Sequence, residues 1–200
     1  MSPLPITVVI PTISTRGDLL SQAVNSIKYQ TQLPEAVIIE QDMHHEGAGM
    51  TRHRGLWRVT TPWVAFLDDD DLFMPQHLER LWKHAQETGC HYAYSWFETL
   101  PAGSDPFPPT HFTDPWDPNQ PRQTTVTTLV QTNLAREAGF LGDPRDTGDG
   151  QRAGEDWWFT LECNRLGKIS HLVEKTWYWR HWGFGQPGMP GNTSGLGSRW

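Results

Sequence analysis

Cysteine is nearly missing from this sequence: Cys90 and Cys163 are the only two in 200 residues. They are too few and too far apart for a disulfide framework or a cysteine-rich metal site, which points to a reducing, cytoplasmic setting. Long apolar runs are missing as well, and no stretch approaches the roughly 18 residues of a membrane span. The opening Met1-Ser2-Pro3-Leu4-Pro5 has neither the charged start nor the apolar middle of a secretory signal. Positive charge is in deficit. The 16 Lys and Arg against 23 Asp and Glu leave a formal charge of -7, which argues against a nucleic-acid-binding surface. A soluble cytoplasmic protein with no transmembrane segment and no nucleic-acid partner is the expectation, and its length suits one domain with a real core.

Tryptophan, by contrast, is abundant. Five of the 11 lie between Trp157 and Trp182, where planar rings could line a sugar or base site, although core packing explains most single tryptophans. The most informative stretch is Trp63-Val64-Ala65-Phe66-Leu67-Asp68-Asp69-Asp70-Asp71, an apolar run of strand type ending in four carboxylates. On an extended backbone Asp68 and Asp70 would share one face, and Asp69 and Asp71 the other. Adjacent carboxylates about 4 Å apart repel by roughly 1 kcal/mol per pair even in water. A hard divalent cation, Mn²⁺ or Mg²⁺, holding substrate phosphates would relieve this. An acidic turn that only caps the next helix is the plainer alternative.

The rest of the chain supplies context. Ile6-Thr7-Val8-Val9-Ile10 reads as a buried parallel strand stopped by Pro11. Thr15 and Asp18 form a capping-box pattern before a helix with Leu19, Leu20, Ala23, Val24 and Ile27 at helical spacing. A second strand, Ala36 to Gln41, delivers Asp42 at its end, and a helical stretch from about Ala48 to Thr60 is closed by Pro62. After the acidic strand come a helix from Pro75 to Thr88 ended by Gly89, and a strand from His91 to Phe97. Seven of the 16 prolines fall in residues 101–121, which reads as a long surface loop or flap. Thr125 to Val130 reads as a strand, Asn133 to Ala138 as a short helix, Glu155 to about Leu166 as a helix ended by Gly167, and Lys168 to Arg180 as extended. Six of the 18 glycines fall between Gly183 and Gly197, a tail expected to be mobile in isolation. Alternating strands and helices predict an α/β fold with right-handed crossovers and a mostly parallel sheet. Ligands bind such sheets outside the carboxyl ends of the strands, and here those ends carry Pro11-Thr12, Asp42 and Asp68 to Asp71.

In order and spacing these pieces resemble a family 2 glycosyltransferase of the GT-A fold. The matching parts are Val8-Val9-Ile10-Pro11-Thr12, Asp42, Thr51-Arg52-His53-Arg54-Gly55-Leu56, Phe66 through Pro75, Ala138-Gly139-Phe140, Gly154-Glu155-Asp156-Trp157, Arg180-His181 and Asn192-Thr193-Ser194. The resemblance implies a Rossmann-like three-layer sandwich in a single domain, residues 1–200. Residues from about 6 to 98 would bind the nucleotide sugar, about 124–182 the acceptor, and 183–200 would form a Gly-rich lid. It also implies a metal-dependent, inverting transfer of one sugar from a nucleoside-diphosphate donor, UDP-linked by preference, to a hydroxyl on a carbohydrate or other acceptor.

By similarity, Pro11, Thr12, Asp42, Arg52, Asp68 and Asp69 would contact the donor. Asp42 would accept from the base, and Arg52 would lie beside the base or the diphosphate. Asp68-x-Asp70 would be the DXD motif, with Asp70 the direct ligand of Mn²⁺ or Mg²⁺, Asp68 toward the ribose or a metal-bound water, and Asp71 a second ligand or support for the helix start. His181 would be a further ligand. Asp156 is the first choice of catalytic base and Glu155 the alternative, with Trp157 and Trp158 walling the acceptor and Asn192 and Ser194 in the lid. Without the long carboxyl-terminal extension and membrane helices of processive members, one-sugar transfer is expected. Two other readings remain: a non-catalytic carbohydrate- or nucleotide-binding protein on the same fold, and a sugar-nucleotide pyrophosphorylase. The second would need a Gly-rich basic loop where this chain has Pro11-Thr12-Ile13-Ser14-Thr15-Arg16-Gly17.

Overall fold

The β-branched run near the amino terminus forms an interior strand, one in from the edge of the sheet. In the computed structural model, which describes residues 2–102, 127–140 and 155–180, strand β1 (Leu4–Thr12) is flanked by parallel neighbours β2 (Pro34–Gln41) and β3 (Trp63–Phe66). Ile6, Val8, Val9 and Ile10 are fully buried, because both faces of this interior strand are covered. The remaining strands are β4 (Leu72–Phe73), β5 (Tyr92–Leu100), β6 (Thr128–Gln131) and β7 (Ile169–Arg180), and the sheet order is β2-β1-β3-β6-β5-β7-β4. β6 runs antiparallel to both β3 and β5, and β4 antiparallel to β7, while β5 and β7 are parallel. Five of the seven strands among the described residues therefore point the same way.

Helices cover both faces, giving the three layers expected. On one face α1 (Gly17–Lys28) and α3 (His77–Thr88) pack Ala23, Ile27, Leu78, Leu81 and Ala85 against Ile6, Val8 and Ile10. On the other, α2 (Ala48–Trp57), α4 (Thr132–Ala138) and α5 (Glu155–Leu166) bury Leu56, Leu134, Ala135, Phe159 and Cys163 around Val9, Val64 and Phe66. Gly55 lets α2 approach β1 closely, since a β-carbon there would fall 2.6 Å from Val9 Cγ1. Both cysteines are buried and free.

Several local expectations are corrected. β1 does not stop at Pro11 but continues to Thr12. The reason is parity: Thr12 O accepts from Asp42 N on the β2 side and Val9 O from Leu67 N on the β3 side, so the missing N–H of Pro11 faces the side where β3 has ended. The capping box of Thr15 and Asp18 does not form. The cap residue is Arg16, whose guanidinium has no acceptor to offer the first helical N–H groups and pairs with the acidic tip of β3. β5 runs three residues beyond Phe97, paired with β7 as far as Leu100 and Arg180. The two-residue β4 is too short to carry a period and has no counterpart among the expected strands. The proline-rich stretch from residue 103, the start of the strand expected from Thr125, Gly154, His181, Asn192, Ser194 and the 183–200 tail lie outside the described residues.

Candidate active site

The four aspartates do not alternate as on a strand. β3 ends at Phe66, and Asp71 N donates to Asp68 O at 3.1 Å, so Asp68 to Asp71 form a turn. Curling the chain brings one carboxylate oxygen each of Asp68, Asp70 and Asp71 within 4.8 Å of one another. Asp69, 1% exposed, points away to accept from Thr12 Oγ1 (2.7 Å) and Arg16 Nη1 (2.8 Å). The expected pairing of Asp68 with Asp70 holds, but Asp71 joins them and Asp69 stands apart.

Cations and N–H groups surround this turn without neutralising it. Arg16 Nη1 also lies 3.4 Å from Asp70 Oδ2. Burial alone lowers the Arg16 pKa, but Asp69 and Asp70 outweigh it and keep the guanidinium charged. Burial pushes Asp69 up to about 6 despite Arg16. Asp71 is raised well above the usual carboxylate range, first by burial and then by Asp70 and Asp68, although Arg180 N donates to its Oδ1 at 2.8 Å. Arg180 Nε donates to Asp70 O, fastening the end of β7 to the turn. Three clustered carboxylates, two half-buried and one buried, are an all-oxygen donor set suited to a hard divalent cation. Asp68, Asp70 and Asp71 therefore fit Mn²⁺ or Mg²⁺.

Neighbouring strand tips complete the cleft. Asp42, 5% exposed, sits beside Thr12 through its backbone bond, and its carboxylate accepts from Glu46 N (3.0 Å) and Gly47 N (2.8 Å), with Arg54 3.6 Å away. Burial opposes ionisation of Asp42, but these N–H groups, His44 and Arg54 together hold its pKa below the ordinary value. Arg54 also pairs with Glu40 and Glu46, so it is not merely a solvated helix residue. Arg52 is 4% exposed and reaches across the cleft, Nη2 to Asp68 Oδ1 at 2.6 Å and Nη1 to Glu155 Oε1 at 2.9 Å. Burial would discharge Arg52, but Asp68 and Glu155 outweigh it. This guanidinium, expected beside the base or diphosphate, bridges two carboxylates of the site.

Asp156 lies in the first turn of α5, where its Oδ1 accepts from Trp157 N at 2.6 Å. Its pKa is raised by burial and then by Glu155, against the pull of Arg52. Trp157 and Trp158 are half-buried on the same turn. The structure thus brings Thr12, Asp42, Arg52, the aspartate turn and Glu155 into one connected set. Arg16 and Arg180 also belong to it; the sequence pattern includes Arg180 without giving it a role, and Arg16 is missed. The signal for Arg16 is a lone cation in the first loop of an acidic chain, hidden when that loop is read as a helix cap.

An α/β sheet whose parallel strand tips gather carboxylates at one edge matches the GT-A class of fold. The model of glycosyl transferase family 2 matches residues 28–140, more than half of the sequence, and the chain belongs to that family. No curated protein matches it in sequence. Among solved structures, it is similar to residues 1–349 of S. aureus TarS in complex with UDP-GlcNAc, with a TM-score of 0.74 and 15% identity over 96% of this chain and 61% of that one. The same protein in complex with UDP gives a TM-score of 0.71 and 16% identity over 89% and 61%. At such identity the likeness carries the fold alone. The chain spans about 61% of the length of these structures. Among the described residues no helix is long and apolar enough to cross a membrane.

Proposed function

We propose that this chain is a metal-dependent, inverting glycosyltransferase that moves one sugar from a nucleoside-diphosphate donor, UDP-linked by preference, to an acceptor hydroxyl. The observation that carries this reading is the convergence of Asp68, Asp70 and Asp71, tied through one guanidinium to Glu155 and so to Asp156. Asp68, Asp70 and Asp71 would hold Mn²⁺ or Mg²⁺, which when bound supplies Lewis-acid stabilisation to a diphosphate leaving group. The solved relative's complexes with UDP-GlcNAc and UDP favour a uridine nucleotide.

The chain's own residues divide the remaining work. Backbone at Pro11 and Thr12 faces the nucleotide, and Asp42 has carboxylate lone pairs left for an imide N–H. Asp69 steadies the turn through Thr12 and Arg16. Asp156 takes the acceptor's proton as the hydroxyl attacks, and Trp157 and Trp158 flank the acceptor. His181 as a ligand, and Asn192 and Ser194 in a lid over residues 183–200, rest on the family resemblance, as does the division into a donor half (about 6–98) and an acceptor half (about 124–182). The two free cysteines suit a reducing cytoplasm.

A thermal-shift screen of UDP-, GDP-, ADP- and TDP-sugars with Mn²⁺ tests this, because a ligand that binds only the folded state raises the midpoint. A UDP-sugar is expected to give the largest metal-dependent rise and then to release UDP on turnover. Binding without turnover would favour the non-catalytic reading, and no metal-dependent shift with any donor would overturn both.

A further inference from the structure

The first turn of α5 is held by α2 at two points three residues apart on one helix face. At the first, Gly49 has no side chain, and Glu155 fills the space: a β-carbon there would lie 2.6 Å from Glu155 Cγ, 3.1 Å from its Cβ and 3.1 Å from Phe140 O. At the second, Arg52 grips the Glu155 carboxylate with one nitrogen and Asp68 with the other. One turn further along α5, Phe159 stacks on Phe140 (4.0 Å between centroids, 14° between planes) and meets Phe66 edge-on at 5.8 Å, two residues before Asp68. Asp156 makes no bond to Arg52; its carboxylate is engaged by the N–H of Trp157.

Resting on the glycosyltransferase reading, we infer that Gly49 and Arg52 are positioning residues. They use Glu155 as an anchor to set the distance between the donor carboxylates and Asp156. A carboxylate whose stem and charge are both taken up by α2 is poorly placed to accept a proton from an acceptor, which leaves that task to its neighbour. Because the same guanidinium holds Asp68, any shift of the donor turn is passed to α5, and the two halves of the reaction stay in register. Only glycine serves at position 49, since any side chain would displace the Glu155 methylenes.

Two variants of the full chain test this, using Mn²⁺ with UDP as the binding probe and UDP release from the best donor of the thermal-shift screen as turnover. Gly49→Ala is expected to keep the UDP affinity within about threefold and to lower kcat by about 30-fold or more, a split that general loss of fold would not give. Glu155→Gln, whose amide oxygen still accepts from Arg52, is expected to retain at least about a tenth of kcat and an acid limb in the pH profile, moved to lower pH because the Glu155 charge that raises Asp156 is gone. A Glu155→Gln loss near 10³-fold with disappearance of that limb would make Glu155 the base and overturn the inference, as would a folded Gly49→Ala with wild-type kcat. If Gly49→Ala does not fold, Glu155→Gln decides alone. A wild-type chain that binds no UDP with Mn²⁺ would instead sink the underlying reading, a result separable from wild-type turnover with unaffected variants.

Discussion

Asp156→Asn is expected to bind UDP with Mn²⁺ within about threefold of wild type while losing about 10³-fold in kcat, within the range that a positioned general base contributes. Asn is close in shape, and its carbonyl oxygen can still accept from Trp157 N, so the first turn of α5 keeps its hydrogen bond. What disappears is the only change that matters for proton transfer, the ability to become neutral by taking a proton. The sign of the pH dependence is set by the surroundings of the carboxylate. Burial, and then the charge of Glu155, raise the Asp156 pKa above the ordinary carboxylate value. A base must be ionised to act, so wild-type kcat falls as pH drops through that raised value. The residual activity of Asp156→Asn should lack that acid limb. Stopped assays of UDP release across pH 4–8 check both points.

Asp70→Asn is expected to lose at least about 100-fold in Mn²⁺-dependent UDP affinity, measured by calorimetry with and without EDTA. Two unit charges about 4 Å apart interact by roughly 4 kcal/mol at the effective dielectric near a protein surface, and three carboxylates crowd within 4.8 Å here. A divalent ion turns that repulsion into ligation, whereas an amide oxygen is a weaker, uncharged donor. The same substitution removes like-charge repulsion in the metal-free protein, so the thermal midpoint in EDTA should hold or rise even as the Mn²⁺-induced rise is lost. A fall in that midpoint would mean that Asp70 serves the fold rather than a cation.

The alternation of strands and helices is legible because each element carries its own period, and Asp42 and the aspartates stand out as the polar residues at the carboxyl tips of apolar strands. The contacts that make a site of them are not legible. Arg52 and Glu155 are 103 positions apart, and Thr12 and Asp69 57 apart; nothing in local spacing states which pairs meet. Strand parity misassigns the acidic tip, because hydrogen bonding from Asp71 N to Asp68 O makes it a turn and changes which three carboxylates converge. Arg16 escapes for a related reason. Thr15 and Asp18 have the chemistry of a cap, and reading the loop as one hides the intervening Arg16, which pairs with Asp69 and Asp70. β6, reversed between β3 and β5, likewise cannot be placed from a four-residue strand whose only apolar residues are Leu129 and Val130.

The most direct test is anomalous diffraction from crystals of the chain grown with Mn²⁺ and UDP. The account predicts one strong peak at the carboxylate cluster of Asp68, Asp70 and Asp71 and beside the diphosphate of UDP. UDP lying in the cleft beside Asp42 with no manganese at the aspartate turn would contradict it.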